Sequence, residues 1–267
     1  MSTSHLKSLS IDFEASLNDG RAYASQNLKF MLRGSYFDLK IIGSCRGFVL
    51  LHCSFTIYLW NPSTGFHKRI PLSPYGCNSF VNYFYGFGYD HSRDDYLMVS
   101  ISHYANLVGI ISHLEIFSLR DNTWKQMEGT HFPYTNVSYD LFEIPLPLDV
   151  DYESTKCDLW VFGEFLSLWA LDYDNKFEIW VMKEYKVHLS WTKICVLSIG
   201  ISTKYFHPIC SSKNGDIIGT KDGTRLVKYN DKGQFLEYHS YGKDLHGSQV
   251  ALYVESLFSL PGDIKQV

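Results

Sequence analysis

Gly43-Ser44-Cys45-Arg46-Gly47 sets a cysteine between two glycines at the spacing of a nucleophile elbow. A thiolate there could attack an acyl carbon, with Arg46 favouring the anion and His52 or His67 serving as base. An elbow of this kind needs a helix directly after it, because the helix N-terminus helps to ionise the thiol. After Gly47 the chain reads FVLLHCSFTIYLW. That run is rich in β-branched and aromatic residues, which is the composition of a strand. The two glycines are therefore expected to form a bend between strands, with Cys45 as a structural thiol.

Other chemical patterns fail in similar ways. Gly86-Phe87-Gly88 lacks the third glycine of a dinucleotide loop and runs into a strand pattern. The eleven histidines include no H-E-x-x-H pair, and His103 and His113 stand ten apart in strand-like text. Six cysteines, at 45, 53, 77, 157, 195 and 210, form no C-x-x-C and no zinc-ligand spacing. Asp94-Asp95 and Asp149/Asp151 fall in turn-rich text, where acidic residues serve hairpins. No catalytic, cofactor-binding or metal-binding residue is expected, and the protein is read as a non-enzyme.

The elements that would position any site are strands. Aromatic residues make up 16% of the 267-residue chain, and helical periodicity is scarce. The best helical candidates, 14–30 and 149–156, are short and poorly capped. Four hairpins share one form, an apolar strand, a polar turn and a strand that opens on an aromatic: Ile57–Trp60 into Phe66–Ile70, Glu115–Leu119 into Trp124–Met127, Glu178–Met182 into Trp191–Ile194, and Leu226–Tyr229 into Phe235–Tyr238. The leading aromatics stand 58, 67 and 44 residues apart. Blades of a β-propeller recur every ~40–50 residues, with insertions adding length. The fold class expected is all-β, a β-propeller, with a β-sandwich as the competing pattern.

A net charge of −4 argues against a nucleic-acid partner, which requires a basic face. No apolar run reaches the length of a membrane span, and MSTSHLKSLSIDF has no signal-peptide core. Free thiols in the cytoplasm or nucleus are expected.

Several segments resemble the F-box-associated domain of plant F-box proteins. GSCRG and LWNPST are similar to that family's GSCNG and LWNPST text, and YGFGYDHSRDDYLMVSI (85–101), LEIFSLRDNTWKQM (114–127) and IWVMKEYKVHLSWTKI (179–194) come after them in colinear order. The resemblance spans roughly residues 8–260 and implies one kelch-like propeller domain over 1–267. It implies a domain that binds a target protein for ubiquitination by an SCF-type ligase, with no membrane or nucleic-acid partner. A Skp-type adaptor would dock only on a longer form. The F-box should precede SLSIDF, and only MSTSHLK stands there. An N-G-x-x-H-W hairpin of the family is absent, and HFPYTNVS (131–138) runs directly into YDLFEIPLPLD (139–149). An incomplete propeller, short of part of one blade, is expected.

Binding is expected on blade-connecting loops. The candidates are the 75–84 loop, with Tyr75, Phe80, Tyr83 and Phe84, and the 103–109 loop, with His103, Tyr104 and Asn106. Burial of these aromatics between blades is the alternative. An enzymatic propeller, or a carbohydrate-binding one that stacks sugars on an exposed Trp169, are the alternatives of function.

Overall fold

The structure, a computed structural model, describes residues 8–11, 25–28, 39–53, 56–73, 82–106, 109–127, 146–151, 155–162, 165–172, 174, 176–185, 187–198, 206–212, 214–222, 224–240 and 250–257. These residues form strands and turns, and the one helical element among them is a single 3-10 turn, His188–Ser190. The chain divides into two compact units: unit 1, Met1–Asn136 with Tyr253–Val267, and unit 2, Val137–Leu252.

Unit 1 holds a two-stranded sheet, β1 (Ser8–Ile11) with β2 (Ser25–Leu28), and two four-stranded blades. Strand β2 lies within the stretch 14–30 that offered a helical pattern. Blade 1 is β3 (Leu39–Cys45), β4 (Phe48–Cys53), β5 (Thr56–Trp60) and β6 (His67–Ile70). Blade 2 is β7 (Asn82–Asp90), β8 (Asp95–Asn106), β9 (Gly109–Ser118) and β10 (Thr123–Gln126). Unit 2 holds blade 3, β11 (Lys156–Phe162), β12 (Phe165–Leu171), β13 (Lys176–Met182) and β14 (Trp191–Ser198). Its blade 4 is β15 (Phe206–Ser211), β16 (Ile217–Lys221), β17 (Arg225–Tyr229) and β18 (Phe235–Ser240).

Every blade is an antiparallel meander in chain order, the construction of a propeller blade. The four hairpins that recur in the sequence are the third and fourth strands of blades 1 to 4, so the repeat is the blade itself. Each of these four blades carries four strands. The shortfall expected around 131–149 falls almost wholly outside the described residues.

Alternation along the strands explains the cores. In blade 1, Phe48, Leu50, Ile57, Leu59 and Ile70 turn to one face and meet Tyr96, Met98 and Phe117 of blade 2. In unit 2, Phe177, Ile179, Cys195 and Leu197 of blade 3 meet Phe206, Ile217, Val227 and Tyr229 of blade 4. Irregular chain packs on the second face of two blades. Leu146 and Val150 lie on the second face of blade 3, against Leu168, Trp180 and Trp191. Tyr253 lies on the second face of blade 1, against Val49, Leu51 and Trp60.

Candidate protein-binding surfaces

The bend at Cys45 is a two-residue hairpin turn. Arg46 and Gly47 have φ of 47° and 87°, so both central residues are left-handed, as a type I′ turn requires. Strand β4 comes next, not a helix. Burial raises the pKa of the Cys45 thiol, and Arg46 offsets only part of the shift. That is the opposite of what a nucleophile needs.

Gly47 has a second reason to be glycine. A Cβ there would collide with Ser256 Cβ and lie 3.2 Å from the Val254 carbonyl. The C-terminal segment rests against this turn and is bonded to the next one, Asn61-Pro62-Ser63-Thr64. Fully buried Asn61 accepts from the Ser63 amide (2.9 Å) and Thr64 amide (3.3 Å) and donates from Nδ2 to the Ser256 carbonyl (2.9 Å). The Ser256 amide donates back to Ser63 Oγ at 3.1 Å. The two signature segments GSCRG and NPST are thus the cradle of residues 253–257.

Turn chemistry is neutralised internally at the same end of unit 1. The Arg46 guanidinium lies 4.0 Å over the Tyr89 ring. Tyr89 donates its hydroxyl to Asp94, which also pairs with Arg120 at 2.8 Å. The Tyr89 bond, then Arg120, hold the Asp94 carboxyl below its ordinary pKa, and the same bond raises that of Tyr89. Both groups keep the proton states of a structural pair. Asp95 is not the solvated turn residue that the sequence suggests. It is buried, accepting from Ser118 Oγ (2.5 Å) and the Arg120 amide (2.9 Å).

The expected binding residues are at the other end of blade 2. Tyr75 and Phe80 lie outside the described residues. Tyr83 and Phe84 are on β7, and His103, Tyr104 and Asn106 are on β8. The ladder pairs Asn82 with His103, Tyr83 with Ser102, and Phe84 with Ile101, so it brings the two groups together. Residues 103–106 are strand rather than loop, since β8 continues to Asn106, which pairs with Gly109 of β9. Long β-branched and aromatic runs, LMVSISHYA and GIISHLEI, extend this hairpin. Trp169 is half-buried, with one face stacked on Phe177 at 5.4 Å and His207 edge-on at 6.3 Å.

An exposed aromatic surface emerges in blade 4 instead. Rings follow one another from the core of unit 2 to its last strand. Trp169 meets Phe177 (5.4 Å), Phe177 meets Phe206 (4.9 Å), Phe206 meets Tyr229 (5.6 Å), Tyr229 meets Phe235 (5.8 Å), and Phe235 meets Tyr238 (6.4 Å). The series runs through buried Phe177, Phe206 and Tyr229 and ends open, with Phe235 54% and Tyr238 57% exposed. Arg225 stands 5.4 Å from the Tyr238 ring. The turn before β18 abuts blade 3, where a Cβ on Gly233 would strike the Val196 carbonyl, and Val196 and Ile194 are exposed as well. A comparison of the four fourth strands, HKRI, TWKQ, WTKICVLS and FLEYHS, carries the signal: β18 is the one without Lys or Arg.

Among the described residues no group of three or more His, Cys, Asp or Glu is placed to hold a metal ion. Among them, too, no helix is long and apolar enough to cross a membrane. The five described cysteines are free thiols.

Fold and surfaces together define a protein of the β-propeller class. The family described as "F-box associated beta propeller domain" matches residues 1–142. The chain belongs to this F-box-associated β-propeller family. It is 26% identical over 301 residues to the F-box/kelch-repeat protein At3g23880 of Arabidopsis thaliana, covering 97% of this chain and 78% of that protein. It is 28% identical over 252 residues to the Arabidopsis thaliana F-box protein CPR1, covering 72% of this chain and 61% of that protein. Among solved structures, the β-propeller domain of Cps50 (Swd1) from Myceliophteria thermophila aligns at 10% identity and TM-score 0.35, over 82% of this chain and 75% of that one. The tricorn protease aligns at 11% identity and TM-score 0.39, over 78% of this chain and 22% of that one.

Proposed function

We propose that this chain is the target-binding part of an F-box protein, holding another protein for ubiquitination by an SCF-type ligase without covalent chemistry of its own. Family membership supports the setting. The observation that carries the binding role is the open aromatic edge of β18, Phe235 and Tyr238 beside Arg225, set on a buried series of rings. Phe, Tyr and Arg suit interface anchors because each brings a large contact area, and the aromatic pair has few rotors to freeze. A rigid base beneath them lowers the ordering cost of binding. The raised pKa of Cys45 speaks against a thiol enzyme. A Skp-type adaptor would be engaged by an F-box segment in a longer form, in the cytoplasm or nucleus.

The test uses the chain with and without a fused F-box segment in plant cells, each with and without Phe235→Ser/Tyr238→Ser. The expected result is adaptor capture only with the F-box, plus a set of ubiquitinated proteins that requires the intact β18 edge. Adaptor capture by the chain alone, or an unchanged set in the double variant, would contradict the proposal.

A further inference from the structure

The face of blade 2 that packs on blade 1 changes character along its length. At one end it is apolar, with Tyr96 and Met98 of β8 beside Phe117 of β9. Further along, the same face of β8 carries Ser100 and Ser102, and β9 sets Glu115 opposite Ser100 and His113 opposite Ser102. Strand alternation therefore buries polar side chains: Ser100 and Ser102 are each 1% exposed, and Glu115 is 2% exposed. Ser73, which follows β6 of blade 1 and is also buried, donates its hydroxyl to Glu115 Oε2.

Burying a carboxylate is costly unless a cation joins it. Among the described residues no Lys or Arg pairs with Glu115. The buried hydroxyls of Ser100 and Ser102 have no hydrogen-bond partner among them either, although buried polar groups are rarely left so. Given the spacing within and between strands, Ser100, Ser102 and Glu115 mark a triangle with backbone sides of about 5–8 Å, so their side chains can converge on one small group. The three oxygens call for a cation that donates several hydrogen bonds. An ammonium, with three N–H groups, meets that need. A guanidinium prefers both carboxylate oxygens, and one already accepts from Ser73. A multivalent metal ion prefers more carboxylates than stand here. The cluster runs to the surface at β10, where exposed Gln126 lies opposite Glu115, with its Nε2 3.3 Å from Nδ1 of half-buried His113. That route is narrow enough to leave Glu115 almost wholly buried, and it suits the thin, flexible stem of a lysine.

We propose that this cluster binds the primary ammonium group of a lysine-like side chain, whose N–H groups donate to Glu115 and to the hydroxyls of Ser100 and Ser102 while its aliphatic stem passes Gln126. The site belongs to unit 1, and it depends neither on the β18 edge nor on a role in ubiquitination.

The test is ligand-detected NMR of the full chain with Nα-acetyl-lysine methylamide at up to about 10 mM. Comparison probes are its Nε-acetyl and Nε-trimethyl forms, n-butylamine and potassium chloride. The lysine derivative should bind and the Nε-acetyl form should not. The trimethyl form should bind about tenfold more weakly, since a charge without N–H groups cannot serve the hydroxyls. Binding should fall about tenfold in Glu115→Gln and several-fold in Ser100→Ala/Ser102→Ala. The serine double variant removes buried hydroxyls that lack partners, so it should melt no lower than the wild type, which separates lost binding from lost folding. Melting curves check that Glu115→Gln is folded. Glu184→Gln, at an exposed position in unit 2, should leave binding unchanged. n-Butylamine separates the two sources of the ligand, and both outcomes support the site: equal affinity points to the ammonium group of any small amine, weaker affinity to the lysine of a polypeptide. Equal binding of the Nε-acetyl form, undiminished binding in Glu115→Gln, an equal loss in Glu184→Gln, displacement by potassium at equal concentration, or no binding of any amine probe would overturn the proposal.

Discussion

Blade 2 and blade 4 share a strand order, and each packs on the blade before it in the chain, yet their last strands differ in kind. In β10 the aromatic is tied down. Trp124 packs on Phe117 at 5.2 Å and bonds Pro71 of blade 1, while Lys125 is neutralised by Asp121. In β18 the aromatics continue a core series outward and end in solvent, and Lys228 of the neighbouring strand answers Asp216 on the blade's other face. A fourth strand whose aromatic finds a hydrogen-bond acceptor on the adjacent blade closes its unit. In β18 the exposed rings of Phe235 and Tyr238 are where the proposed binding role is placed.

The buried parts of the two units should respond alike. Phe117→Ala in blade 2 and Phe177→Ala in blade 3 each remove a ring that is 1% exposed. Each should cost about 3–5 kcal/mol in urea denaturation. A marked inequality would show that one unit relaxes around the cavity and the other does not.

Next in size is a pH effect specific to unit 2. Burial pushes the Cys210 thiol up to about 11 from 9.0, and that of Tyr229 also rises with burial. Between pH 9 and about 11 the unfolded chain releases the thiol proton while the folded chain keeps it. Stability is therefore full below pH 9 and falls by about 2–3 kcal/mol as the pH climbs through that window. Cys210→Val should flatten the alkaline limb, measured by denaturation at stepped pH.

Unit 1 should be the more sensitive at its turns. Gly47→Ala meets both a left-handed backbone and Ser256, for a loss of about 2 kcal/mol. Gly65, with φ of 75° and open space around it, should lose only about 1 kcal/mol as Gly65→Ala. Equal effects at the two glycines would mean that the C-terminal segment leaves its cradle easily.

The blade pattern was legible in the sequence because a two-residue alternation and a leading aromatic recur once per blade. The GSCRG and NPST turns were legible as turns because Gly47, Pro62 and Gly65 constrain the backbone locally. Their shared task was not, since the contact of Gly47 and Asn61 with Ser256 spans about two hundred residues and leaves no local trace. Aromatics at 83, 84 and 104 were expected in blade-connecting loops, yet ladder pairing extends the strands through those positions. The open edge of β18 was missed because Phe235 and Tyr238 stand three apart. A register shift between Lys228 and Tyr229 is what lets both meet the rings of one face.

The smallest effect on stability should accompany the largest on binding. Phe235→Ser/Tyr238→Ser should change the unfolding free energy in urea by no more than about 0.5–1 kcal/mol, as expected of exposed positions. Proximity labelling in plant cells, run on wild type and this variant side by side, measures the rest. The proteins labelled around the wild type should be lost from the variant while its melting curve stays in place. An unchanged labelled set on the variant would contradict a binding role for the β18 edge.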